Sequence, residues 1–512
     1  MLQDETWGHL GSQTLKWLAG ADLSYHIDEA DLLSVDEDVV NEYQWPSMTA
    51  TMVGVFFDTL YPTFPFINKD EFLQKLSQSY YLQEGYPLSE RRRWLAVANM
   101  IFCLGSKWLR QGNANRSAGQ EDHLMYYARA RKLGLDHRIV QDHPTAAQVE
   151  GLGLLALYLT MNHQITRYVN SLASYSHYTC LLITHDRAWT SVGNAIRHAV
   201  ALGMHLAVPT SPDRSRMSSN QAPTWYALYN LEIFLVEVTG RPTSMISDLE
   251  ITMPQEGLLH NSESPLINQR EGSLPHALGT PQPLLSDVSA QSLSTYFSRR
   301  VRVSRISRRI STTLYAGGLT ANWAEFQRSV SLFQLEIEEL ASTVVRPLQN
   351  LDGAWLVGNR HNLELAMSIY SLQMAIYRPF LCDWEGKIRN ESSQSQDFNQ
   401  SKAVEAITAA RSMLALLFSV DDLQTLPLVF PCWSTLHYIC QAGSILILEL
   451  AMHAAHLPSE AAEMVSDIRR ALIYLDAMST SSYSAAKAWE IFACFLNEIE
   501  SRLETGNSSE TC

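Results

Sequence analysis

Apolar residues recur at helical spacing along most of this 512-residue chain, from Met52 onward, while the alternation typical of strands is scarce. Two prolines interrupt the pattern within Tyr61–Phe66, which predicts a helix, a rigid turn and a second helix. The sequence therefore predicts an all-α fold, a large multi-helical bundle with polar, partly disordered linkers. The later helices are predicted at 92–110, 121–136, 145–162, 168–183, 189–206, 292–316, 323–346, 358–378, 402–419, 429–454 and 458–503.

Three segments lack this periodicity because they are rich in Ser, Pro, Gly, Asn and Gln. They are Val208–Pro223, Gln255–Gln291 and Arg389–Ser401. The second of them divides the chain in two, and we interpret it as an insertion between halves of one helical body; two separate domains are the alternative. The predicted division is an acidic N-terminal segment 1–50, a first half 51–255, a flexible insertion 256–291, a second half 292–504 and a tail 505–512.

The composition indicates a folded chain, since 46% of the residues are hydrophobic and 18% are charged. The longest apolar runs, such as Gly151–Met161, are shorter than the roughly 20 residues that a bilayer span requires. The first twenty residues also lack the basic start and apolar stretch of a signal peptide. We therefore expect an intracellular protein without a membrane helix.

The seven cysteines stand far apart, and no two lie within three residues of each other. Structural zinc sites are usually built from C-x2-C pairs, and the spacing of the cysteines in this chain provides no such pair. We expect buried free thiols, and the sequence assigns no metal ligand, no cofactor-binding residue and no catalytic residue. The cysteines are residues 103, 180, 382, 432, 440, 494 and 512.

The net charge of −15, from 53 acidic and 38 basic residues, argues against binding of DNA by this chain alone. The local exception is Arg299–Arg309, where six arginines crowd eleven positions around an apolar stripe that includes Val303 and Ile306. We interpret it as a packed helix with a solvated basic face; a patch for nucleic acid or an acidic partner is the alternative. Residues 1–50 hold ten acidic side chains, which fits a solvated segment or one that folds on a coactivator.

Motifs of enzyme chemistry are absent, including the phosphate loop, the H-E-x-x-H helix and the G-x-S-x-G elbow. Gly151–Ala156 matches a relaxed dinucleotide fingerprint but lies inside an apolar helical run with no preceding strand. Four histidines, His177, His185, His198 and His205, stand close together in sequence, with Asp186 beside the second. Acid–base work is conceivable there, but structural histidines are the favoured interpretation. We predict that the chain is not an enzyme.

Several motifs follow one another along the chain. They are Phe56–Ile67 with Phe72-Leu73, Gly193–His205, Trp225–Tyr229 with Glu232 and Gly240–Pro242, Ile251–Pro254, Tyr377–Leu381, and Ala403–Leu416. In order and spacing, from about residue 50 to residue 500, these motifs resemble the fungal-specific transcription factor domain, the regulatory region of Zn2Cys6 binuclear-cluster factors. Two departures are the polar run Ser218–Thr224, where relatives carry basic residues, and the absence of the six-cysteine DNA-reading cluster.

The resemblance implies a nuclear regulator of transcription, controlling a metabolic or secondary-metabolite gene cluster. It implies other regulators or coactivators as partners, a homodimer as one arrangement, and DNA only through an upstream cluster or a partner. Zinc would enter only with that cluster, and no membrane is involved. The alternative is a cytoplasmic helical scaffold or effector sensor. In the motifs, Gly193 and Gly203 are expected to allow close helix approach, and Arg241 to pair with Glu232 or line a pocket.

Overall fold

The computed structural model describes residues 48–79, 88–111, 123–135, 144–162, 187–206, 221–243, 290–315, 322–348, 359–382, 392–420, 423, 426–480 and 482–509. Within these ranges the regular structure is entirely helical, which confirms the all-α prediction. The acidic segment up to residue 47, the predicted helix 168–183 and most of the predicted insertion lie outside them. None of the helices described is long and apolar enough to cross a bilayer.

Fifteen α-helices make up the described part of the chain. Short π-helical turns follow α4 and α8, and short 3-10 turns follow α9 and α10 and precede α14. The helices are α1 Thr49–Thr59, α2 Lys69–Ser79, α3 Leu88–Gln111, α4 His123–Ala130, α5 Ala146–Met161, α6 Arg187–Ala201, α7 Gln221–Thr239, α8 Ala290–Ile310, α9 Trp323–Val344, α10 Arg360–Tyr377, α11 Ser393–Phe418, α12 Leu426–Val429, α13 Cys432–Ala451, α14 Ala461–Ser479 and α15 Tyr483–Ser509.

Two sequence interpretations of local structure are wrong. The polar tract that was expected to be loose up to Ser401 instead forms the first turns of α11. Ser392 caps this helix, because its hydroxyl accepts a hydrogen bond from the Ser395 amide, and Phe398 packs against the core. The stretch 458–503 is two helices rather than one, since the chain turns between Ser479 and Tyr483 and α14 packs against α15. The hydroxyl of Ser482 accepts a hydrogen bond from the Ala485 amide at the start of α15.

The first core is built by α1 to α7 around the proline turn, and its apolar side chains include Phe56, Leu60, Phe64 and Phe66, all fully buried. Helix α1 lies directly on α3, and the close approach falls at Gly105, where the two backbones meet. A Cβ built on Gly105 would lie 2.8 Å from the carbonyl carbon of Met52 and nearer still to its oxygen. Only glycine fits at this contact.

The second core is built by α9 to α15 and most of α8, with apolar side chains such as Ile306, Leu365 and Leu446 fully buried. Helix α8 belongs to both cores, because Val303 and Ile306 face the second one while Phe297 and Val301 face the first. Helix α13 also reaches across, since its Trp433 packs into the first core. The two cores are therefore joined by shared helices rather than by a single linker.

The end of α13 is held by a buried carboxylate. His453 and Ala454 adopt left-handed backbone conformations, with φ of 58° and 52°, which side chains other than glycine adopt only at a cost. The Glu449 side chain accepts hydrogen bonds from the amides of His456 and Leu457, at 2.7 and 3.2 Å, and lies 2.8 Å from His456 Nδ1. Burial opposes the charge, but the hydrogen bonds from His456 outweigh it and lower the pKa of Glu449.

Replacing Glu449 with Gln is expected to lower the free energy of unfolding by about 1–3 kcal/mol at pH 7, the scale of hydrogen bonds to a charged group. Since the pKa is lower in the folded state, this stabilisation is present above the ordinary value of 4.5 and is lost as the pH falls through the folded value. Urea unfolding of both proteins at pH 7 and below pH 4.5 measures the difference. The exposed Glu498→Gln should change little at either pH, and an equal effect of the two substitutions would contradict the assignment.

Candidate functional site

A buried polar network lies where the two cores meet. Its first part joins the proline turn of the first core to helices of the second core. The Thr63 hydroxyl is 2.8 Å from the Tyr296 hydroxyl, and Tyr296 donates a hydrogen bond to Glu364 Oε2 at 2.9 Å. Thr63 also reaches the same carboxylate oxygen at 3.3 Å. All three side chains are at most 5% exposed. The turn fixed by Pro62 and Pro65 thus places Thr63 against α8 and α10.

The second part of the network is centred on Arg300 of α8. Its Nη1 donates to the Ser368 hydroxyl at 2.5 Å, and that hydroxyl is 2.9 Å from the Tyr438 hydroxyl of α13. Burial opposes a charged guanidinium, yet interactions with the Tyr438 phenol, which is ionised only at strongly alkaline pH, and with the Glu364 carboxylate outweigh burial and raise the pKa of Arg300. Burial also raises the pKa of Tyr438 to about 12, so this phenol stays neutral. Arg300 is therefore a fixed positive charge between the cores.

A third link is made by Arg360 at the start of α10, whose Nη2 donates to the backbone oxygen of Asp58 at the end of α1. Burial lowers the pKa of Arg360 to about 10, although Glu364 acts in the opposite direction. The neighbouring His361 packs its ring 4.7 Å from that of Tyr296, and burial beside Arg360 lowers its pKa to about 3. At neutral pH, His361 is an uncharged packing residue.

Aromatic rings close the junction around these polar groups. Trp433 of α13 packs against Phe64 and Trp108 with centroids 6.1 and 6.0 Å apart, and Phe234 meets His437 edge-on at 6.0 Å. Such contacts exclude water, so each buried charge depends on its partners within the protein. The arrangement can hold the two halves in one register and couple a change in one to the other.

A separate open pocket of about 390 Å³ lies between α9, α10 and α11. Its polar lining includes Glu338, Arg346, Tyr370 and Glu405, and its floor is apolar. Burial and a hydrogen bond to Glu405 raise the pKa of Tyr377, which lies in the same wall. The size suits a small organic molecule.

The arginine cluster lies on a packed helix, as expected, but its basic face is only partly solvated. Arg300 and Arg308 are buried, and two others bind acidic residues of α9: Arg302 lies 2.7 Å from Glu339, and Arg309 lies 2.6 Å from Glu336. The sequence does not predict the burial of Arg300 and Arg308, because helical spacing locates one apolar stripe whereas α8 packs against neighbours on several sides. Arg300, counted as surface charge from sequence, is at the centre of the network.

The motif residues singled out from the sequence have mixed outcomes. Gly193 does not mediate a close approach, because a Cβ there would meet only the Arg197 Nη1 atom, at 3.6 Å. Gly203 serves a turn instead, with φ of 73° after the end of α6. The guanidinium of Arg241 lies 5.2 Å from the centre of the Trp189 ring, and its pairing with Glu232 stays a prediction. Gly151–Ala156 lies inside α5.

The histidines and cysteines are only partly described. His198 and His205 each have a buried Nδ1 without a hydrogen-bond partner, while His177, His185 and Asp186 lie outside the described residues. Cys103 and Cys440 are buried free thiols as expected, but Cys382 and Cys494 are exposed, which corrects the prediction. Within the described ranges no three His, Cys, Asp or Glu side chains are grouped to hold a metal ion.

Comparison with known proteins identifies the family. The sequence model described as "Fungal specific transcription factor domain" matches residues 53–342, from α1 through most of α9. The chain belongs to this family. The match crosses the predicted insertion 256–291 and ends inside the predicted second half.

One curated relative aligns with more of the chain than the family model does. The "Transcription regulator galc" of Aspergillus niger is 25% identical over 529 aligned positions, which cover 92% of this chain and 60% of that protein. "Transcription factor FBD3" of Gibberella moniliformis is 25% identical over 253 positions, 48% of this chain and 28% of the relative. The same-named protein of Fusarium pseudograminearum is 25% identical over 205 positions, covering 39% of this chain and 22% of the relative. The chain thus spans less than two thirds of each relative, and their names describe transcription regulators rather than enzymes.

Proposed function

We propose that this chain is the regulatory region of a nuclear transcription regulator. The observation that carries the proposal is the family match across α1 to α9, supported by a relative named as a transcription regulator that aligns with 92% of the chain. Control of a metabolic or secondary-metabolite gene cluster is part of the proposal. The acidic balance of −15 favours a role in which DNA is reached through a zinc cluster or a partner rather than through these helices.

The buried network supports a way for such a region to act. A ligand or partner that binds one core can affect the other only through elements that they share. Helix α8 and the contacts of Thr63 and Arg360 with the opposite core are such elements. We include binding of a small-molecule effector at the open pocket between α9, α10 and α11 in the proposal, and other regulators or coactivators are the proposed protein partners.

Expression profiling after deletion of the gene tests the proposal. We expect a coherent set of transcripts to change, and reintroduction of the intact gene to restore them. A fluorescent fusion expressed from the native locus should accumulate in the nucleus. Unchanged transcripts together with a cytoplasmic fusion would contradict the proposal and favour the helical scaffold or sensor.

A further inference from the structure

The outer face of α9 carries two exposed leucines between two opposite charges. Leu332 and Leu335 are 68% and 65% exposed, whereas the buried side of the helix carries Phe333 and Ile337. Arg328 and Glu339, with side chains 73% and 67% exposed, flank the leucines. At 100° per residue these four side chains form one narrow stripe that faces away from the core. We call it the α9 stripe.

The order of residues in the α9 stripe is self-complementary. Arg328 and Glu339 are equally far from the midpoint between Phe333 and Gln334, and so are Leu332 and Leu335. A second copy of the helix placed antiparallel across a two-fold axis at this midpoint would therefore set each Leu332 against a Leu335. The same operation sets each Arg328 against the Glu339 of the other copy. Within one helix Arg328 and Glu339 are about 16 Å apart, so the two pairs lie at opposite ends of the contact. Closed two-fold interfaces require this kind of self-matching surface.

The surroundings of the stripe reduce the repulsion between two copies. Arg302 and Arg309 of α8 bind Glu339 and Glu336, which compensates most of the negative charge of α9 near its C-terminal half. Among the residues that the structure describes, Arg328 is held by a distant pair with Glu325, at 3.8 Å, and by a bond to the backbone of Ala324. Its guanidinium is thus accessible to a carboxylate from outside the molecule.

We propose that the α9 stripe is a self-association surface, at which α9 of a second copy of this chain binds antiparallel across a two-fold axis. Leu332 and Leu335 of the two copies form the apolar centre, and the Arg328–Glu339 pairs close both ends. Contact between two single helices is smaller than the interfaces of permanent dimers, so the association depends on protein concentration. The proposal goes beyond transcriptional regulation and does not rest on it.

Sedimentation of the purified chain over a concentration series tests the apolar centre. The intact chain is expected to dimerise, and Leu335→Asp to raise the dimer dissociation constant at least about 100-fold, because the symmetry places two substituted residues in each dimer. The matched control is Ile473→Asp on α14, which replaces another exposed aliphatic residue, 57% exposed, outside the stripe. This control should dimerise like the intact chain. Circular dichroism confirms that both variants remain folded.

A charge exchange tests the antiparallel register. Arg302 binds Glu339 within the chain, so Glu339→Arg is combined with Arg302→Glu to keep that internal pair. Arg328→Glu alone and the Arg302→Glu/Glu339→Arg variant should each weaken self-association by about tenfold, since each replaces attraction with repulsion at both ends of the dimer. The variant that carries all three substitutions should associate as the intact chain does. An equimolar mixture of the two partial variants should form a mixed dimer, because each then meets opposite charges at both ends.

Two results would overturn the proposal. One is a chain that stays monomeric at all concentrations, and the other is a dimer that Leu335→Asp and Ile473→Asp affect equally. A dimer that Leu335→Asp disrupts, but in which the combined charge exchange does not restore the association lost in the separate charge variants, would refute the antiparallel arrangement. These measurements use purified protein, so their outcome is separate from the transcriptional experiment.

Discussion

Replacing Arg300 with Leu is expected to lower the free energy of unfolding by about 3–5 kcal/mol, the cost of leaving partners of a buried charge uncompensated. The substitution removes the positive charge that faces Glu364 and the donor that holds Ser368. The Glu364 carboxylate then stays buried without the opposite charge of Arg300, and its desolvation destabilises the folded state. Urea unfolding at pH 7, followed by circular dichroism, measures the loss.

The same helix supplies the control for Arg300. Arg309→Leu removes an arginine whose side chain is 46% exposed and paired with Glu336, so we expect a loss of less than about 1 kcal/mol. Combining Arg300→Leu with Glu364→Leu should cost less than the sum of the two single substitutions, because the two charges compensate each other. Equal effects of the two arginine substitutions would show that burial in the network adds nothing.

Gly105→Ala is expected to lower the free energy of unfolding by about 3 kcal/mol or to prevent folding, which is at or above the upper end of overpacking costs. The added methyl group would collide with the main chain of Met52, and a backbone cannot move aside as a flexible side chain can. Helices α1 and α3 would have to separate, which disturbs the core around Phe56. Thermal and urea unfolding of the purified variant measure the effect.

Gly193→Ala is the matched control, because it makes the same substitution within a helix but meets only Arg197 Nη1, at 3.6 Å. Alanine favours helices over glycine by up to about 1 kcal/mol, so this variant should be slightly more stable than the intact protein. The two glycines are therefore expected to give effects of opposite sign. Similar effects of both substitutions would contradict the close approach at Gly105.

The helices were predictable because apolar periodicity is strong wherever one face of a helix is buried. Helix α5 and the Tyr377–Pro379 helix end follow the sequence prediction closely. The boundary at Ser392 was missed because a capping serine within a polar tract resembles a linker. The turn before Tyr483 was missed because apolar spacing continues on both sides of it.

The candidate site was largely invisible in the sequence, since its members are far apart in the chain. Thr63 lies in a turn whose evident sequence signal is its two prolines, which say nothing about the threonine. Arg300 is one of six clustered arginines, and such a cluster is typical of a surface. One signal could have located it. Tyr296 and Arg300 are four residues apart on α8, as are Glu364 and Ser368 on α10, and each donor reaches the residue 68 positions later. Two polar pairs with the same four-residue spacing on two helices indicate surfaces that can pair with each other.

The sharing of α8 between both cores affects how this region can be dissected genetically. Truncation series assign regulatory roles to segments by asking which deletions raise or lower reporter activity. Here a truncated chain whose last residue precedes Ala290 would lack Phe297 and Val301 of the first core, together with Tyr296, the α8 residue that contacts Thr63. Its phenotype would report misfolding and degradation of what remains rather than release from control. Single substitutions on exposed positions are the sound way to map regulation in this chain.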